Sequence, residues 1–178
     1  MKRFFFAVLL LLCAFSLAQG QGKDVAAIRK LYAAAKERMA QNGKDEAVPR
    51  YDVTVSSHYV VAGTGPTEET VRYFFGMEYD ETLGMYYNKV YFITRRFNVA
   101  ARPCYQEFLY DEESGDLLFA FLQEEGFEGE TNQTRYYWNK DGLVQELVQG
   151  ERVMDEVWTA RLSADLMEAF HRLMNREY

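Results

Sequence analysis

The residues to weigh first for chemistry are a thiol and two imidazoles. Cys104 lies outside the N-terminal apolar run that holds the only other cysteine, Cys13. Paired with His58 or His171, it could in principle act as a nucleophile. A thiol attacks as thiolate, and so needs a helix N-terminus or a cation that lowers its pKa. Cys104 instead sits between Pro103 and Tyr105, at the start of a strand pattern. The sequence therefore reads it as a buried thiol, with an intermolecular disulfide as the alternative and a hydrolase role as the remote one. His58 falls on the polar side of a strand pattern and His171 beside an apolar helical stripe. Neither has a Cys or His partner at ligand spacing, so no metal site is read. With 27 acidic residues, any two could be named a catalytic pair, and the choice would carry no information. No Gly-rich phosphate loop, Gly-x-Ser-x-Gly elbow or His-Glu-x-x-His helix occurs, and no catalytic residue or cofactor is assigned.

Two charged clusters offer binding rather than turnover. Glu124, Glu125, Glu128 and Glu130 crowd a glycine-containing segment whose one aromatic is Phe127. It could bind a cation or a basic partner surface, but reads rather as a solvated, flexible hairpin loop, with Phe127 at its tip as an anchor for a partner. Arg95, Arg96 and Arg102 bracket a turn and could dock an anionic ligand, against the alternative that they pair with surface acids. Asn132-Gln133-Thr134 is a glycosylation sequon, meaningful only in a eukaryotic secretory pathway.

The elements that must position these residues follow from periodicity. Val25, Ile28, Tyr32, Ala35 and Met39 recur at helical spacing, with Asp24 as a first-turn acid or cap and Asn42-Gly43 as the stop. After Arg50 the period becomes two. Strands are expected from Tyr51 to Val61, Val71 to Tyr79 and Tyr86 to Phe97, the last apolar on both faces and therefore central. More follow near 103–110, 116–123, 133–139 and 143–149, with a possible short one at 152–158. Tyr79-Asp80-Glu81-Thr82-Leu83-Gly84 and Tyr110-Asp111-Glu112-Glu113-Ser114-Gly115 repeat one turn pattern, and Trp138 to Leu143 is a shortened variant. Asp or Asn can bond its own backbone there and Gly supplies positive φ, so these are hairpin turns rather than calcium loops. A last helix is expected from a Ser163 cap, with Leu162 and Met167 as a staple. The fold class is α+β: a curved antiparallel meander of six to eight strands, with the N-terminal and C-terminal helices packed on one face.

The N-terminus speaks to location. Lys2 and Arg3 precede an apolar run from Phe4, and Ser16-Leu17-Ala18 offers a small-residue cleavage site before Gln19. Residues 1–18 read as a secretory signal peptide and 19–178 as one domain. Losing Lys2 and Arg3 takes the formal charge from −7 to −9. Such acidity disfavours a nucleic-acid partner, and no second apolar run is present to anchor the mature chain in a membrane. Only Cys104 remains after cleavage, so stability rests on packing of aromatic residues, which make up 16% of the chain.

The segments Tyr91-Phe92-Ile93-Thr94-Arg95-Arg96-Phe97-Asn98-Val99-Ala100-Ala101-Arg102 and Glu107-Phe108-Leu109-Tyr110-Asp111 resemble a group of exported proteins of gut-type Gram-negative bacteria. The resemblance implies a periplasmic or secreted location and carries no catalytic residues. The function expected is a non-enzymatic binding or interaction module with a protein or glycan partner. The alternative is a carrier for a small hydrophobic ligand, lined by Tyr73, Phe75, Tyr91, Phe108, Phe119 and Phe121.

Overall fold

The computed structural model describes residues 2–44 and 50–174, with side chains from residue 22 onward. Two helices enclose seven strands: α1 (Lys2–Gln41), β1 (Asp52–Val61), β2 (Gly65–Asp80), β3 (Met85–Val99), β4 (Arg102–Tyr110), β5 (Leu117–Glu125), β6 (Thr131–Asn139), β7 (Gly142–Gln149) and α2 (Glu156–Met174). The strands form one sheet in sequence order, every neighbouring pair antiparallel. This is the α+β meander that the alternation and the turn signals specify.

The hairpin turns close as their chemistry requires. Asp80 Oδ1 accepts the amides of Thr82 and Leu83 at 2.8 and 3.0 Å, and Gly84 completes the turn at φ 66°. Asp111 repeats this with Glu113 and Ser114, and those backbone donors hold its carboxyl below the ordinary range. Asn139 Oδ1 takes the amide of Asp141 in the shortened variant.

The helices do not share a face. Phe74, Phe92, Leu109, Phe119 and Tyr137 pack with Val25, Ile28 and Ala35 of α1. Their chain neighbours Tyr73, Ile93, Phe108, Ala120 and Tyr136 pack with Leu166 and Phe170 of α2. Adjacent residues of a strand point to opposite faces, so a run such as Tyr91-Phe92-Ile93 demands cover on both sides. One helix per face supplies it, which corrects the single-face expectation. Both helices cross the strands. Asp24 of α1 is held to Asn139 on β6 at 2.7 Å, Tyr32 reaches Glu107 on β4, and Asn42 binds Asp52 on β1. On the other face, Glu156 of α2 meets Trp138 on β6, Ser163 meets Tyr110 on β4, and Phe170 stacks against Tyr73 and Phe75 on β2.

Several boundaries differ from expectation, and β2, expected from Val71, already begins at Gly65, where its first residues pair with the end of β1. Helix α1 continues through Asp24 without a break, so Asp24 is a tether rather than a cap. Helix α2 starts at Glu156, so the segment 152–158 forms no strand. Its cap is Asp155, whose Oδ1 accepts the amide of Trp158 at 2.9 Å. Ser163, expected at the cap, lies buried inside the helix against the Tyr110 hydroxyl, and Leu162 and Met167 pack on the core rather than stapling its start. The buried stripe is Thr159, Ser163, Leu166 and Phe170. Its first half is hydroxyl residues, which is why an apolar pattern missed it.

Candidate functional site

Because α1 crosses the strands, it covers one end of its sheet face and leaves the other end open. Register sets the floor of the open part. Phe121 lies between Glu107 and Arg135 across β4, β5 and β6. The next row on the same face reads Arg96, Tyr105, Gln123 and Gln133 from β3 to β6. Beneath the helix, Arg29, Tyr32, Phe119, Phe121, Arg135 and Tyr137 enclose a cleft of about 320 Å³. Towards the β3–β4 and β5–β6 turns, a second cleft of about 400 Å³ includes Arg96, Tyr105, Gln123, Glu125 and Thr131. Tyr105 and Phe121, one at each cleft, meet edge-on at 6.4 Å between ring centroids.

The cations of this face lie over rings. The guanidinium of Arg135 sits 4.9 Å from the Phe121 centroid, that of Arg96 5.3 Å from Tyr105, and that of Arg29 5.6 Å from Tyr137. Each ring's electron-rich face attracts the cation and holds the side chain low on the sheet. Among the described residues, none of the three forms an ion pair with a carboxylate. Arg135 donates one bond to Gln133 Oε1 at 2.7 Å, and Gln133 donates to Gln123 Oε1 at 3.0 Å. The result is a ladder of amides beside open guanidinium forks.

Glu107 anchors the boundary between covered and open halves. Its side chain is 3% exposed, and three donors from two elements converge on it. Lys36 Nζ and the Tyr105 hydroxyl reach Oε1 at 2.7 and 2.6 Å, while the Tyr32 hydroxyl reaches Oε2 at 2.5 Å. Burial first, and then the bond to Glu107, pushes both phenols far above their ordinary range. A carboxylate so occupied serves as a latch between α1 and the sheet; its oxygens are engaged rather than offered to a substrate. Sequence patterning gave no hint of it, because a charged residue inside the run Gln106-Glu107-Phe108 looks like the wet side of a strand.

The residues singled out from sequence are divided by the pleat. Arg95 and Arg96 are neighbours in β3 and so face opposite ways. Arg95 pairs with Glu69 and donates to Gln106 at 3.2 Å on the α2 side, which removes it from the candidate surface. Arg96 belongs to the open face. Arg102 lies 4.2 Å from the ring centroid of Phe127, which is 92% exposed. The β5–β6 turn is more ordered than a solvated loop: Gly126 donates to the Glu130 backbone at 2.8 Å, and Glu130 Oε2 accepts the amide of Glu128. Glu125 shares the open face with Arg96 at the larger cleft, while Glu124, which also borders it, faces the α2 side with Cys104; Arg102 and Phe127 lie at the adjacent turns and Glu128 is exposed on its loop.

Cys104 is buried and faces the α2 side opposite Phe97 and Glu124. Burial, then the Glu124 carboxylate, raises its thiol pKa, the reverse of what a nucleophile needs. His58 lies on β1, three strands away and on the other face, about 14 Å at sheet spacing. His171 stacks edge-on against Phe170. Asn132 is 2% exposed, with Oδ1 accepting the amide of Glu151, so the sequon asparagine is committed to the core. Of the rings suggested for a carrier cavity, Tyr73, Phe75 and Phe108 fill the α2 core and Tyr91 the α1 core, while Phe119 and Phe121 pack on the α1 core and also border the cleft beneath α1. Among the described residues no cluster of three or more His, Cys, Asp or Glu could hold a metal ion, and no helix is long and apolar enough to cross a membrane.

Comparison with protein-family models, with curated proteins and with solved structures finds no match to this chain.

Proposed function

We propose that this chain is an exported, non-enzymatic binding domain whose ligand lies across the half of the sheet face that α1 leaves open. One observation carries the reading: Arg29, Arg96 and Arg135 lie over aromatic rings in two neighbouring clefts, without carboxylate partners among the described residues, in a chain of formal charge −7. Open guanidinium forks favour a carboxylate or similar planar anion, and the rings beside them favour a flat body. The clefts offer fixed charges, amides and rings rather than an activated nucleophile, which supports binding over turnover. Export is supported by the charge, apolar run and small-residue site of residues 1–18. Cleavage after Ala18 would keep the α1 positions from Val25 to Met39 that pack on the sheet.

The test uses benzoate and galacturonate as probes, titrated into the chain beginning at Gln19. Both are expected to bind with affinity that falls as salt rises, because the attraction is ionic and partly exposed. Arg135→Met, which keeps the stem and removes the fork, is expected to weaken binding about tenfold. Affinity unchanged by Arg135→Met and by Arg96→Met alike would remove this face from the account.

A further inference from the structure

The two edges of the sheet are built differently. Among the described residues, β7 pairs with β6 alone and β1 with β2 alone. β7 is blunted: Glu146 stands in mid-strand, held by Arg152, and Val144 is an extra residue between the partners of Tyr137 and Trp138. A charge and a bulge are devices that keep an edge from pairing. β1 has neither. From one end to the other it reads Val53-Thr54-Val55-Ser56-Ser57-His58-Tyr59-Val60-Val61, without Lys, Arg, Asp, Glu, Pro or Gly, in a chain of which 26% is charged. Its register with β2 is unbroken, and Val55, Tyr59, Val60 and Val61 are exposed. Tyr51 and Val61 turn their carbonyls inward, to the amides of Phe75 and Thr64. Backbone groups alternate in direction along an antiparallel strand, so Thr54, Ser56, His58 and Val60 direct theirs outward.

We propose that two copies of this chain join antiparallel along β1, about a two-fold axis at Ser57 that stands perpendicular to the sheet. The contact uses the sheet edge and leaves the open face free. On the α2 side the axis sets Val55 against Tyr59 of the second copy, and Val53 against Val61. On the α1 side Thr54 meets Val60, and Ser56 meets His58. Aromatic and β-branched cross-strand pairs are favourable, and no two like charges oppose each other. The neighbouring symmetric registers are worse: centring on Ser56 sets Asp52 against Val60, and centring on His58 sets that imidazole against itself. The outward groups of both strands make about eight backbone hydrogen bonds. A foreign strand would draw its selectivity from side-chain pockets beside the edge, and neither cleft described above borders β1. Because each copy offers one open and one blunted edge, pairing closes at two. The α1-side clefts of both copies then open on the same side of the joined sheet. One strand pair is a small interface, so the dimer is reversible, with a dissociation constant in the micromolar range.

Sedimentation of the chain beginning at Gln19, from low to high micromolar concentration, tests this and should show a monomer–dimer equilibrium. Ser56→Pro removes an amide that points away from β2, so circular dichroism should be unchanged while dimerisation weakens at least about tenfold. Val60→Lys places a charge on the exposed edge and should do the same without touching the backbone; it decides the matter should the proline unfold the chain. In a Cys104→Ala background, Ser57→Cys should form a disulfide dimer in air, because the two copies of that residue lie about 4.5 Å apart between Cα atoms. Val55→Cys should not, its two copies lying about 13 Å apart along the strands. A chain that stays monomeric throughout would overturn the proposal. So would a dimer that survives Val60→Lys, or cross-linking as complete through Val55→Cys as through Ser57→Cys.

Discussion

At the scale of single residues, two buried carboxylates carry more of the structure than their neighbours suggest. Asp52 accepts from Arg50 Nε, Arg72 Nε and Asn42 Nδ2, each at 2.7 Å, with its side chain 2% exposed. Burial alone would raise its pKa, but the two arginines outweigh it and bring the value down to about 2. The unfolded value is about 3.9. A carboxylate with a depressed folded pKa stabilises fully above its unfolded pKa and loses that contribution as pH falls towards the folded value. Urea unfolding across pH 5 to 2 should therefore lose about 2 kcal/mol in the window from about 4 down to about 2, and Asp52→Asn should flatten that limb. A slope unaltered in Asp52→Asn would place the acid sensitivity elsewhere. Glu107→Ala should cost about 3 kcal/mol, since it strands two half-buried phenols and an ammonium. Tyr32→Phe removes one bond only and should cost about 1 kcal/mol. Urea midpoints at constant slope measure both. A Glu107→Ala cost no larger than that of Tyr32→Phe would contradict the latch.

At the scale of elements, the β2–β3 hairpin extends beyond the sheet. β1 pairs no further along β2 than Phe74, and β4 reaches β3 only at Phe92. Residues Gly76–Asp80 and Met85–Lys89 therefore pair with each other alone. Tyr79, Leu83, Met85 and Tyr86 on this arm are all at least half exposed. Replacing residues 78–87 by an Asn-Gly turn should change stability by less than about 0.5 kcal/mol, because no core side chain is lost. Loss of cooperative unfolding in that variant would show that the arm belongs to the core. Element types were largely written in the sequence, as period two, period 3.6 and Asp-x-x-Gly turns are local properties. That both faces need cover was also written there, in consecutive aromatic pairs such as Phe74-Phe75 and Tyr136-Tyr137, but that signal has to be read as two half-cores rather than one strong strand. The start of α2 was hidden because Thr159 and Ser163 bury hydroxyls where the pattern expected carbon.

At the scale of the whole molecule, two helices crossing opposite faces near the same end of the strands leave, at the other, two clefts with arginines over rings, one of them bordered also by Glu124 and Glu125. The site was only partly legible. Arg96, Glu124 and Glu125 stood out as clustered charges, whereas Arg29, Tyr105, Phe121 and Arg135 come from four elements and meet only through register. No local spacing encodes that meeting. Location makes its own prediction: expressed with residues 1–18 in a Gram-negative host, the protein should be recovered from the periplasm or medium with Gln19 as its first residue by intact mass and N-terminal sequencing. Recovery from the cytoplasm with Met1 retained would reject the export signal.

The most direct test of the central claim maps where an anion lands. Amide chemical shifts of the labelled chain should be followed while galacturonate is added. The account predicts saturable shifts at Tyr105, Phe121, Gln123, Gln133 and Arg135, with a smaller response at Arg29 and Tyr32 of α1. Shifts confined to the α2 face or the β2–β3 arm, or none at all, would contradict it.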